Sequence, residues 1–209
     1  MKLTFISDTH NIHDQVPLDR GDVIIHCGDL TKRGNLEDVR SFATFMEKQN
    51  FTHKIVIAGN HDFCFEDERR EEAEQIFKAS GIYYLNDSAL SIDGLKFWGS
   101  PIQPWYHDWA FNRQPGVEIR KHWDLIPEDT DVLITHGPPY GIADLCDRGV
   151  RVGCSDLLEM VKKIKPRIHA FGHIHEGYGI VDLDGIKFIN ACSLDLHYKY
   201  NNPPIIVDI

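Results

Sequence analysis

The chain has 209 residues, 42% of them apolar and 26% charged, a composition that suggests neither a disordered nor a membrane-embedded protein. The formal net charge of −10 argues against a broad nucleic-acid-binding face, which needs clustered Lys and Arg. It leaves room for a small anionic substrate, because bound metal ions can reverse the charge locally.

The chain shows no internal repeat, low-complexity tract or Gly/Ser linker, so one domain is expected over residues 1–209. Short apolar, β-branched runs predict strands at residues 2–6, 22–26 and 54–58, then at 95–99, 131–135, 167–171, 178–183, 186–190 and 204–208. Helical spacing of Val39, Phe42, Ala43 and Met46 predicts a helix with Asn35 as its N-cap. Ala73, Ile76 and Phe77 predict a second helix over residues 68–80, ended by Gly81. Leu157, Met160, Val161 and Ile164 predict a third, capped by Ser155 and stopped before Pro166. Strands alternating with helices early, then a run of strands late, indicate an α/β domain whose sheets are buried on both faces. The apolar run before Ser7 is too short for a signal peptide to be expected, and five scattered cysteines without a CxxC pair point to thiols in a reducing cytoplasm.

Five of the early runs end in residues with metal-ligand chemistry. They lead into Asp8-Thr9-His10, Gly28-Asp29, Gly59-Asn60-His61-Asp62, His136-Gly137-Pro138-Pro139 and Gly172-His173-Ile174-His175. In open α/β folds ligands gather beyond the carboxyl ends of strands, where all five groups would meet. Singly, an Asp or His after a strand is a turn residue or a satisfied structural group. Five such endings in one chain are not explained that way.

The ordered motifs DxH, GD, GNHD, H and GHxH resemble those of the calcineurin-like metallophosphoesterases. The stretches His136-Gly-Pro-Pro, Val152-Gly-Cys, residues 172–179 and Asn202-Pro-Pro-Ile-Ile-Val-Asp are similar to the small metallophosphodiesterase branch typified by the animal fetal-brain 239 proteins. Two positions depart from the pattern. Lys32 stands where the family often has an acid, and His173 is present where some members of the branch lack it. The resemblance implies a four-layer α-β-β-α sandwich with two mixed β-sheets. It also implies two divalent ions, one held by Asp8, His10, Asp29 and His175, the other by Asp29, Asn60, His136 and His173. Mixed imidazole and oxygen donors suit Mn, Fe, Zn or Co.

Phosphate-ester hydrolysis needs on the order of 20 kcal/mol of barrier removed, and a lone general acid or base supplies only about 3–5 kcal/mol. The expected chemistry is therefore in-line attack by a hydroxide bridging the two metals. His61 is expected to protonate the leaving oxygen, with Asp62 orienting His61 and keeping it protonated. The expected substrate is a small phosphodiester such as a cyclic nucleotide, with no extended nucleic acid and no membrane as partner. A phosphomonoesterase and a nucleotide-binding regulatory protein with little turnover remain open, and a nuclease is disfavoured by the charge.

His26, His53, His107, His122 and His169 read as structural, whereas His13 and His197 have the loop placement to reach the site. The aromatic segment Trp105–Phe111 reads as a lid over the core, with a base-stacking wall as the alternative. Arg148 and Arg151 read as solvated surface groups, with contact to phosphate oxygens as the alternative.

Overall fold

The computed structural model describes residues 1–209. In chain order the elements are β1 (Lys2–Ile6), β2 (Gly21–His26), α1 (Leu36–Lys48), β3 (Phe51–Val56), α2 (Arg70–Ala79) and β4 (Tyr83–Tyr84). There follow β5 (Ser88–Ile92), β6 (Leu95–Ser100), β7 (Gln103–Pro104), β8 (Asn112–Arg113), α3 (Val117–Trp123) and β9 (Val132–Thr135). The last are α4 (Ser155–Ile164), β10 (Ile168–Phe171), β11 (Gly179–Leu183), β12 (Ile186–Asn190) and β13 (Ile205–Asp208).

One sheet has the order β13-β1-β2-β3-β4, parallel except for β13. The other runs β11-β12-β10-β9-β6-β5, with four parallel central strands and an antiparallel strand at each edge. Alternation along each strand decides what lies on either face. Leu3, Phe5, Val23 and Ile25 share an inter-sheet core with Phe97, Val132, Ile134 and Ile168. Their neighbours Ile6, Ile24, Trp98 and Leu133 belong instead to the core that includes Phe42, Phe77, Trp123 and Val161 of the four helices. The result is a four-layer α-β-β-α sandwich. Each fully buried Leu, Ile or Phe contributes about 1.5–3 kcal/mol relative to exposure, which accounts for the near-continuous apolar strands.

Three local expectations shift. The third strand begins at Phe51, because it pairs from Gly21↔Phe51 onward. The cap of α4 is Cys154, not Ser155: its backbone is extended against Pro139 and its sulfur accepts the Leu157 N–H at 3.4 Å. Helix α3 was not expected at all. Its seven residues are too few for a periodic signal, and Ile119 and Trp123 alone form its buried face.

His26 and His169 are fully buried, structural groups. Thr135 Oγ1 donates to the Gly137 carbonyl at 2.7 Å, so it accepts from His169 Nε2 at 2.9 Å and leaves His169 Nδ1 without a partner. His26 Nδ1 accepts the Gly28 N–H at 3.2 Å, and its Nε2 meets Thr9 Oγ1 at 3.0 Å. Burial lowers both rings from 6.5 to about 3. The folded chain thus refuses protons that the unfolded chain accepts below pH 6.5. Stability from these two groups is complete above that pH and declines as pH falls towards 3. Each histidine should cost about 2 kcal/mol on going from pH 8 to pH 5. Urea unfolding of wild type and His169→Gln at both pH values checks this. The variant should lose about 2 kcal/mol of the pH dependence, and an unchanged pH dependence would refute the assignment.

Candidate metal centre

The parallel strands β1, β2, β3, β9 and β10 all end at one edge of the paired sheets, and the loops that follow carry the site residues. Asp8, His10, Asp29 and His173 lie there with φ of 53°, 39°, 57° and 67°, in the left-handed region that non-glycine residues seldom adopt. Such backbone costs about 1–3 kcal/mol per residue and persists only where the surroundings impose it. Here it turns four side chains into one space. Gly59 and Gly172 permit the approach: a Cβ on Gly59 would strike the Asp29 carboxylate, and one on Gly172 would strike Asp8 and Ser7 Oγ.

All seven expected ligands come together. Asp8, His10 and His175 form one cluster and Asp29, His136 and His173 another, with His10, Asp29 and His61 between them, each set of donor atoms within 4.8 Å. His10 Nε2 lies 3.7 Å from Asp29 Oδ2, His136 Nε2 lies 3.4 Å from the same oxygen, and His175 Nε2 lies 3.6 Å from Asp8 Oδ1. Asn60 Oδ1 is 2.9 Å from His136 Nε2. Backbone donors fix the carboxylates: His173 N–H donates to Asp8 Oδ2 at 3.0 Å, and His61 N–H to Asp29 Oδ1 at 2.8 Å. The Cys192 thiol also donates to Asp8, at 3.2 Å.

These residues fit a bound metal on two observations. Both ring nitrogens of His10 lack a hydrogen-bond partner although the residue is buried, an arrangement that costs free energy unless something else occupies a lone pair. The Nδ1 atoms of His136 and His175 face the carbonyls of Cys27 and Asp195 at 2.9 and 3.0 Å, so their Nε2 atoms are the ones aimed inward. Fixing one ring nitrogen to present the other is how proteins orient metal-binding histidines.

The electrostatics describe a site built for cations. Burial pushes the Asp8 carboxyl up, but the imidazoles of His175, His136 and His10 together outweigh this and hold it well below the usual range. Burial raises Asp29 likewise, and His136, His10 and His61 together overcome it and hold the carboxyl below the usual range. Burial would lower His136 and His175, yet Asp29 and Asp8 respectively lift them to about 9. His173, lowered to about 4 by burial and then by the charge of His136, is a neutral donor at neutral pH.

Asp62 does not orient His61. Its Oδ1 accepts from Thr31 N and Oγ1 at 2.9 and 2.8 Å, and its Oδ2 from Gly59 N and Leu30 N at 2.9 and 3.2 Å. It therefore clamps the Asp29 loop to the Asn60 loop from below. His61 Nδ1 is held by the Lys32 carbonyl at 2.8 Å, so Lys32 contributes its backbone at the position where its side chain departs from the family pattern. Burial, and secondly the charge of Asp29, raise Asp62 to about 6 against the pull of these donors. Asp62→Asn would set an amide against N–H groups and leave two donors unpaired, a loss of about 3 kcal/mol. Denaturant unfolding reads that loss. A selective loss of activity on esters with poor leaving groups, at unchanged stability, would restore the orienting role.

The cavity over these residues measures about 350 Å³ and is rimmed by Tyr106, Trp109, Arg148, Leu196 and Tyr198. The aromatic segment divides. Ala110 and Phe111 are buried in the core, whereas Trp109 stands over His61 with ring centroids 4.3 Å apart and Tyr106 lines the cavity. The lid expectation therefore holds for one end of the segment and fails for the other. Arg151 pairs with the buried Asp144 at 2.6 Å and is structural, but Arg148 reaches the cavity. His13 is buried against Phe42 and Phe45, and neither it nor the exposed His197 lines the cavity. Tyr198, with φ 56° and its ring 5.0 Å from that of His10, was missed. It follows the last ligand motif by more than twenty residues and belongs to no pattern.

The family profile described as Calcineurin-like phosphoesterase matches residues 1–177. The human Metallophosphoesterase domain-containing protein 1 is 38% identical over 226 residues, covering 98% of this chain and 69% of its own. A UPF0046 protein of Caenorhabditis elegans is 37% identical over 230 residues, covering 100% of this chain and 81% of its own. Among solved structures, TT1561 of Thermus thermophilus superposes with a TM-score of 0.66 over 99% of this chain and 98% of its own, at 15% identity, a likeness of fold alone. With a matching profile over most of its length and relatives this similar, the chain belongs to the calcineurin-like phosphoesterase family.

Proposed function

We propose that this protein is a metal-dependent phosphodiesterase acting on a small phosphodiester such as a cyclic nucleotide. The observation that carries this reading is the convergence of Asp8, His10, Asp29, Asn60, His136, His173 and His175 from five strand ends, with Asp29 common to two clusters. Asp8, His10, Asp29 and His175 would hold one divalent ion, and Asp29, Asn60, His136 and His173 a second, drawn from Mn, Fe, Zn or Co. Two such ions supply an activated water and neutralise charge on the phosphoryl oxygens. Set against the two aspartates, two divalent ions would leave the site positive and so draw an anion into a chain of net charge −10.

The protein's own groups do the rest. His61 Nε2 faces the cavity, 3.9 Å from Asp29 Oδ2, and is placed to give a proton to the leaving oxygen. Trp109 covers the His61 ring and shields it from bulk water. Arg148 offers a planar donor pair to phosphate oxygens at the rim. The catalytic constellation forms within one domain spanning residues 1–209. A cytoplasmic setting fits the five unpaired thiols. No helix is long and apolar enough to cross a membrane.

The deciding experiment is hydrolysis of bis(p-nitrophenyl) phosphate and p-nitrophenyl phosphate by chelator-stripped protein, before and after Mn²⁺ is added back. Metal-restored activity that favours the diester supports the proposal. Preference for the monoester makes the protein a phosphatase. Two bound ions with no turnover of either ester would favour a nucleotide-binding regulatory role.

A further inference from the structure

A second cavity, of about 390 Å³, opens behind the first. It lies between the aromatic segment, the turn after His136 and the loop of residues 146–152, and its walls include Pro104, Trp105, Pro138, Val152 and Ile174. The two cavities meet at Tyr106, Arg148 and His173, which line both. The Arg148 guanidinium donates to the Tyr106 hydroxyl at 3.4 Å, so this boundary is a polar pair set between a metal-binding space and a largely apolar one.

The boundary is held in place. Arg148 is exposed, but the Asp147 N–H before it donates to Glu176 at 2.6 Å. Cys146 and Val150 pair through their backbones at 3.0 Å, and Arg151 is tied to the buried Asp144 at 2.6 Å. Trp105 and Tyr106 are about half exposed, at 52% and 50%, an unusual display for two large aromatic side chains beside a charged site.

Resting on the phosphodiesterase reading, we infer that the second cavity is a subsite for the second organic arm of a phosphodiester. The phosphoryl group lies at the Asp29 end, and the arm passes the Tyr106–Arg148 pair into the space lined by Trp105, Pro138 and Val152. A phosphate diester has two carbon substituents and a monoester only one, so two joined cavities give a diester a place for its second arm that a monoester leaves empty when its single arm lies in the first. Lining by Pro, Trp, Val and Ile selects an apolar or aromatic arm over a charged one. Arg148, at the junction, is the group that would hold a non-bridging oxygen and set the direction of the arm.

Cys146 makes this testable without turnover. It lines the second cavity and is partly exposed, whereas Cys27, Cys64, Cys154 and Cys192 are buried. Alkylation of Cys146 by iodoacetamide in the metal-loaded protein is followed by mass spectrometry. The probes are diphenylphosphinate, a non-hydrolysable diester mimic, and inorganic phosphate. The inference expects diphenylphosphinate to slow the reaction about tenfold or more and phosphate to leave it unchanged. Equal rates with both probes, or equal protection by both, overturn it.

A second measurement uses Val152→Trp, which fills the cavity. The ratio of kcat/KM for bis(p-nitrophenyl) phosphate over methyl p-nitrophenyl phosphate should fall about tenfold or more. An unchanged ratio in a folded variant overturns the subsite. The two readings fail separately. A wild-type protein that hydrolyses neither ester ends the phosphodiesterase reading. Active enzyme with unprotected Cys146 and an unchanged ratio ends the subsite alone.

Discussion

Replacing Asp29 with Asn should lower metal-dependent hydrolysis about a thousandfold or more and reduce bound metal from two ions per chain to one or none. Asp29 is the carboxylate whose Oδ2 faces three imidazole Nε2 atoms, those of His136 at 3.4 Å, His10 at 3.7 Å and His61 at 3.9 Å, where Asp8 Oδ1 faces only those of His10 and His175. Asparagine keeps the shape, and its side-chain oxygen can still accept the His61 N–H that now bonds to Oδ1 at 2.8 Å. What it removes is one negative charge from a buried site in which Asp29 lifts His136 to about 9. Each ion contributes several kcal/mol to charge stabilisation, and about 1.4 kcal/mol is tenfold in rate, hence the expected size. Metal content by atomic emission and kcat/KM on the aryl diester are the two readouts. A variant with two ions and wild-type turnover would remove Asp29 from the centre and with it the two-metal proposal.

The site was more legible in the sequence than its surroundings, for a physical reason. Metal ligation demands particular atoms, and the edge of a parallel sheet supplies particular places, so Asp8, Asp29, Asn60, His136 and His173 each stand one to four residues past a strand. The glycines that allow close approach, Gly59 and Gly172, are adjacent to those ligands and equally readable. The strands were legible because both faces are buried and the apolar runs are nearly unbroken.

What escaped were features decided by tertiary packing. The Ser88–Ile92 strand is an edge strand with polar and apolar residues mixed, stabilised by pairing with β6. The Asp62 carboxylate reaches back to Leu30 and Thr31, 32 and 31 positions earlier in the chain, so adjacency to His61 in the sequence misled about its partner. The aromatic segment could not be assigned from composition, because Trp109 and Phe111 are two residues apart yet one covers His61 and the other fills the core. A wall and a core lining use the same residues, and only the backbone path tells them apart.

His61→Asn should produce a loss that depends on the leaving group, and this separates proton donation from metal binding. The His61 ring lies in the cavity with its side chain 17% exposed, its Nδ1 against the Lys32 carbonyl at 2.8 Å and its Nε2 towards the reacting space. A proton donor matters only when the departing oxygen is basic. With p-nitrophenolate, a stable anion, the loss should stay within about tenfold. With an alkyl or ribose oxygen as leaving group it should reach about 10²–10⁴-fold, the usual contribution of a positioned acid. Two further observations make the result interpretable. Metal content should stay at two ions per chain, because His61 is outside both proposed ligand sets. Trp109→Ala should cause a smaller loss of the same pattern, since that ring only shields and positions the imidazole from 4.3 Å. Equal losses on good and poor leaving groups, with metal content reduced, would show instead that His61 supports the cluster it forms with His10 and Asp29, and the source of the proton would then have to be sought among the other groups that face the cavity, Tyr198 first.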